Sequence, residues 1–94
     1  LKTVVIPDSI ASIGGYAFSS CSELTSLAIP DSVTFIGEYA FQQCIALGSI
    51  TIPRSVISMG EWVFHNSNLD IVYVPKSLEY SSSVFFSCKT IIKY

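Results

Sequence analysis

Apolar and polar positions alternate over short stretches of this chain and then break at a proline, and the pattern occurs four times. Leu1, Val4 and Ile6 precede Pro7; Leu24, Leu27 and Ile29 precede Pro30; Leu47, Ile50 and Ile52 precede Pro53; Leu69, Val72 and Val74 precede Pro75. The prolines are spaced by 23, 23 and 22 residues. A fixed period outranks any single motif, because it sets how each motif is multiplied in space. The alternation is that of a strand. It predicts parallel strands near residues 3–6, 26–29, 49–52 and 71–74, stacked as a ladder at about 4.8 Å per repeat.

The columns continue beyond the prolines. Ser9-Ile10, Ser32-Val33, Ser55-Val56 and Ser77-Leu78 are followed by Ile13-Gly14, Ile36-Gly37 and Met59-Gly60, then by Ala17-Phe18, Ala40-Phe41 and Val63-Phe64. Cys21 and Cys44 lie three residues beyond the first two of those phenylalanines. A unit this short encloses no interior, so its apolar face is buried only by stacking on its neighbours. Proline, which lacks an N–H, marks where the strand leaves the ladder for a turn. The glycines at 14, 37 and 60 suggest a sharp reversal or a positive φ. The run Glu38 to Gln43 reads as one helical or 3-10 turn on the opposite side.

The chain is therefore expected to be an α/β-type repeat solenoid, predominantly β, with one parallel sheet and short helical or 3-10 turns opposite. It forms one domain of four repeats, 1–23, 24–46, 47–68 and 69–90, with a fifth strand starting over 91–94. Both ends of the apolar stack lack a polar cap, so a part of a longer protein is expected, with further repeats of the same chain at the stack ends. The fourth unit departs from the pattern: Ser81-Ser82 stand where Ile-Gly is due, and either Phe85 or Phe86 fits the phenylalanine column, Cys88 agreeing only with Phe85.

The pattern L-x-x-L-x-I-P-x-S-V-x-x-I-G-x-x-A-F-x-x-C-x-x-L, cleanest from Leu24 to Leu47, resembles the BspA-like leucine-rich repeat of bacterial and protozoan surface proteins. The resemblance covers the chain except the loop around Ser81 to Val84. It implies a right-handed coil with a concave parallel sheet and, in many members, an extracellular adhesion or matrix-binding role. The family has no shared catalytic residues to carry over.

Half of the 94 residues are apolar, enough for one core and not two. A formal net charge of -2 disfavours nucleic acid, which needs a basic surplus. Apolar runs such as Val4-Val5-Ile6 are far too short to cross a bilayer, so no membrane insertion is expected. Three cysteines make no closed disulfide framework, and neither a leader peptide nor an Asn-x-Ser/Thr signal places the chain.

Each residue that could carry chemistry also has a plainer role. His65, the only histidine, shares a column with Ser19 and Gln42 and reads as solvated surface, with no zinc spacing beside it. Stacking brings Glu38 and Glu61 to about 5 Å, near the separation of a retaining glycosidase pair, but without a cleft, and an enzyme is not expected. Asp8 and Asp31 follow prolines as turn residues. The side chains of Cys21 and Cys44 point the same way into the core, which favours buried free thiols over a disulfide. The column Tyr16, Tyr39 and Trp62 reads as packing more than as a binding ladder. No metal or cofactor is expected.

The remaining candidate is the outward face of the strands: Thr3, Ser26, Ser49 and Ile71 in one column, Val5, Ala28, Thr51 and Tyr73 in the next. Small residues give way to larger apolar ones in the fourth repeat, which suits a protein contact. Ile71, Tyr73 and Thr51 are the expected contact residues, with Arg54 and Lys76 beside them. The residue after each proline changes from Asp8 and Asp31 to Arg54 and Lys76, a polarity that would orient an acidic partner over the later repeats. The function expected is a protein-binding module of a cell-surface or secreted protein, meeting an extracellular-matrix or host surface protein. The alternative is a structural spacer or assembly scaffold, for which a cytoplasmic location stays open.

Overall fold

The computed structural model describes residues 3–94. Its elements are β1 (Thr3–Val5), β2 (Ser12–Ile13), β3 (Ser26–Ala28), β4 (Phe35–Ile36), β5 (Ser49–Thr51), β6 (Ser58–Met59), β7 (Ile71–Val74) and β8 (Thr90–Lys93). The four expected strands are present and pair in parallel, β1 with β3 and β5 with β7, and the strand awaited over 91–94 is β8, alongside β7. The chain is a β-solenoid of about four coils.

Register explains the alternation. Val4 opposes Leu27, and Val72 stands between Ile50 and Ile91, so this column points inward. Leu27, Ile50 and Val72 are buried in the one apolar core. The neighbouring column, Val5, Ala28, Thr51, Tyr73 and Ile92, points out and is exposed throughout.

A second parallel ladder, β2-β4-β6, accompanies the expected one. Ile13, Ile36 and Met59 form its inner column, and the Gly37 and Gly60 amides donate to Ile13 O and Ile36 O at 2.7 Å. These glycines do not have a positive φ. Their role is to let the coils approach: a Cβ on Gly37 would meet Gly15 N at 2.4 Å, and one on Gly60 would meet Glu38 N at the same distance.

The side opposite the main ladder holds a stack of turns, and among the described residues no helix is present. Ala17, Ser19 and Cys21 donate to the carbonyls three residues back, as 3-10 turns do, but Tyr16, Phe18 and Ser20 donate to Glu38, Ala40 and Gln42 of the next coil. The same alternation runs from Tyr39 to Cys44. Because every second N–H serves a neighbouring coil, the chain cannot wind as a helix there. It swings through the left-handed region instead, at Tyr16, Tyr39 and Trp62 and again at Ser20, Gln43 and Asn66, with φ between 56 and 63°. Non-glycine residues in that region cost about 1–2 kcal/mol each, which the inter-coil bonds and ring stacking offset.

The phenylalanine column fills the core. Phe18, Phe41 and Phe64 stack at 5.3 Å between successive centroids, and Phe85 follows Phe64 at 5.5 Å. Phe85 therefore holds the fourth place in the column, with Cys88 after it, while Phe86 is exposed against Trp62.

Candidate functional site

The outward face is built by strand register. Thr51 lies beside Tyr73, and Ser49 beside Ile71. Ser26, Ala28, Ser49 and Thr51 are exposed and small; Tyr73 is 37% exposed and Ile71 half-buried. The fold thus brings three of the five expected contact residues, Thr51, Ile71 and Tyr73, into one patch.

Arg54 and Lys76 flank this patch just after their prolines, but Arg54 is already engaged. Its guanidinium carbon lies 4.4 Å from the centre of the Tyr94 ring. Tyr94 also donates its hydroxyl to Ile52 O at 2.6 Å, and its carbonyl accepts the Lys76 N–H at 2.7 Å. Sequence reasoning missed Tyr94. The signal was its register: Val74 opposes Lys93, so Tyr94 stands opposite Pro75 in the proline column.

Between β3 and β5 the outward face opens into a trough of about 400 Å³, lined by Ser26, Ala28, Ser49 and Thr51 and bounded by Asp31 and Tyr94. Asp8 borders a second depression, between β1 and β3.

The other candidates take different places. His65 is half-buried rather than solvated, edge-on to Tyr39 at 5.8 Å and to Trp62 at 5.4 Å. Tyr16, Tyr39 and Trp62 pack, as expected, but at the surface: Tyr16 on Tyr39, and Tyr39 and Trp62 each on His65. Tyr16 stacks on Tyr39 at 5.1 Å and is 55% exposed. Glu38 and Glu61 are exposed beside an open depression. Among the described residues no cluster of three or more His, Cys, Asp or Glu side chains could hold a metal, and no helix is long and apolar enough to cross a membrane.

All three cysteines are free. Cys44 is buried, whereas Cys21 is only half-buried, against expectation, because the coil that covers Cys44 on that side has no counterpart over Cys21 among the described residues. Cys44 Sγ donates to Phe18 O at 3.1 Å. Burial, reinforced by the neighbouring Cys21, pushes its pKa up to about 11. Ser67 takes the same position in the third coil, buried, with its hydroxyl donating to Phe64 O at 2.7 Å.

Comparison with known proteins gives a consistent picture. The family model described as BspA type leucine rich repeat region (6 copies) matches residues 1–94. A leucine-rich repeat protein of Bacteroides ovatus is 29% identical, with a TM-score of 0.85 over 98% of this chain and 25% of its own. A leucine rich cell surface protein of Faecalibacterium prausnitzii is 28% identical, with a TM-score of 0.67 over 98% of this chain and 32% of its own. A leucine-rich repeat protein of Eubacterium ventriosum shares the fold at 20% identity, with a TM-score of 0.67. This chain thus spans between a quarter and a third of the solved structures it matches. No curated protein matches it.

Proposed function

The chain belongs to the BspA type leucine rich repeat family, and from that premise we propose that it is a protein-binding module of a cell-surface or secreted protein, contacting a matrix or host surface protein through the outward face of its main ladder. The observation that carries this reading is the patch itself. Tyr73 stands exposed beside Thr51, with Ile71 two residues away on the same face, and a rigid aromatic next to an aliphatic is the kind of anchor that dominates interface energetics. Arg54 and Lys76 form its polar rim. The cell-surface description of the Faecalibacterium prausnitzii relative supports the location.

The test is binding of the 94-residue chain to a panel of purified extracellular-matrix proteins by interferometry. Tyr73→Ala and Ile71→Ser should each weaken a true complex by about 2 kcal/mol or more while leaving the melting curve of the exposed-site variant Tyr73→Ala in place. Unchanged binding with lowered thermal stability would refute the reading.

A second reading, a scaffold whose ends pair with further repeats, is favoured by β8. Its Ile91 continues the inward column of Ile50 and Val72 yet is 40% exposed, so it offers apolar surface to a following coil. Sedimentation of the chain alone checks this, since end-to-end pairing would raise its mass with concentration.

A further inference from the structure

The main ladder is divided. β1 pairs with β3, and β5 with β7 and β8, while β3 and β5 lie side by side in separate sheets. On the other flank β2, β4 and β6 form one unbroken ladder. The ladder pairing lapses on the outward flank only, and the 400 Å³ trough lies between these two strands. Its floor of Ser26, Ala28, Ser49 and Thr51 carries no bulky side chain, so an extended backbone can lie close to it.

The proline end of the trough presents carbonyls that the ladder itself leaves without an N–H donor. In the last coil Tyr94 N–H donates to Val74 O at 2.9 Å. Pro75 holds the matching position against Ile52, and Pro53 the matching position against Ile29, and proline has no N–H to give. For Ile52 the Tyr94 hydroxyl substitutes, at 2.6 Å. Ile29 lines the trough, and Pro53 leaves its carbonyl without the ladder donor. Asp31 adds an exposed carboxylate two residues on. The cation nearest in sequence register, Arg54, is turned onto Tyr94, and the ion pair found among the described residues, Lys89 with Asp70 at 3.3 Å, is elsewhere.

A carboxylate, an unserved carbonyl and an aromatic ring at the end of a neutral, small-residue trough suit a group with several N–H donors and a positive charge. We propose that this trough takes an arginine or lysine side chain of an extended partner segment, with Asp31 and the Ile29 carbonyl accepting its N–H groups beside Tyr94. The proposal rests on the reading that the outward face binds protein, and it names the chemistry of that partner. The chain's formal net charge of -2 favours approach of a basic segment.

The experiment is selection of a displayed heptapeptide library on the 94-residue chain, with the enriched peptides then measured against Asp31→Asn and Thr51→Trp, both exposed positions whose folding is checked by circular dichroism. The expected result is enrichment of arginine or lysine at one peptide position, with binding at least tenfold weaker to Asp31→Asn and lost on Thr51→Trp, which fills the trough. Peptides that lack a basic residue, or bind Asp31→Asn as well as the parent, overturn the proposal; if Thr51→Trp still abolishes them, the outward-face reading survives alone. Enriched peptides unaffected by Thr51→Trp, or no enrichment at all, overturn both.

Discussion

Gly37 packs so closely against Gly15 of the preceding coil that a Cβ on Gly37 would lie 2.4 Å from the Gly15 nitrogen and 2.9 Å from its Cα. The obstacle is backbone, which cannot rotate aside, so Gly37→Ala should force the second ladder apart. Overpacking of this kind costs about 1–3 kcal/mol. Gly48 is the control. Nothing lies within 4 Å of a Cβ built there, and its φ is not positive, so Gly48→Ala should instead stabilise the chain by about 0.4–1 kcal/mol through the unfolded state. Urea melts of the two variants decide the matter, and a Gly37→Ala protein as stable as the parent would mean that the coils have room to spare.

What the sequence made legible follows from length and repetition. The outward and inward columns of the main ladder were readable because three or four alternating residues precede every proline. The second ladder was not, since two residues per strand give no alternation to count. The glycine column is visible, but of the two expected causes the positive φ is absent: a missing Cβ serves inter-coil contact as well as it serves a positive φ, and the sequence carries no sign of which. The left-handed residues hid for the opposite reason. Tyr16, Tyr39 and Trp62 are types that avoid that region, and no sequence rule marks them for it. At the candidate site, Thr51, Ile71 and Tyr73 follow from the period, whereas Tyr94 and the lapse of pairing between β3 and β5 depend on how a final coil and two particular strands settle.

The ring column should carry stability unevenly. Phe41 is fully buried between Phe18 and Phe64, whereas Phe18 is only half-buried. Phe41→Ala should cost about 3–5 kcal/mol, as for other buried Phe truncations, and Phe18→Ala clearly less. Equilibrium denaturation measures both, and equal losses would contradict the packing gradient along the column.

Cys44 should make stability depend on pH in the alkaline range. Its thiol ionises near 9.0 when unfolded and near 11 when folded, because burial disfavours the thiolate. The folded state therefore holds its proton longer, and the stability linked to this group is fully present below pH 9 and is lost as pH rises from there through about 11. Cys44→Ala should flatten the decline over that window relative to the parent. A parent and variant with parallel stability curves between those pH values would show that the thiol is not protected.

Tyr94 makes two contacts that mutation can separate. Its hydroxyl serves Ile52 O, which Pro75 cannot reach with an N–H, so Tyr94→Phe leaves that carbonyl short of a donor and should cost about 0.5–1.5 kcal/mol. Its ring carries the Arg54 guanidinium at 4.4 Å, a contact at an exposed site whose cation–π component is about 0.5–1 kcal/mol. Arg54→Met keeps the aliphatic stem and removes the cation. In the Tyr94→Phe background that substitution should cost as much as it does in the parent, because the ring is still there, whereas in the Tyr94→Ala background its cost should vanish. Thermal or urea melts of the single and double variants complete the cycle. If Arg54→Met costs the same with and without the ring, the pairing contributes nothing, and Arg54 is then available to the outward face as a charge in its own right.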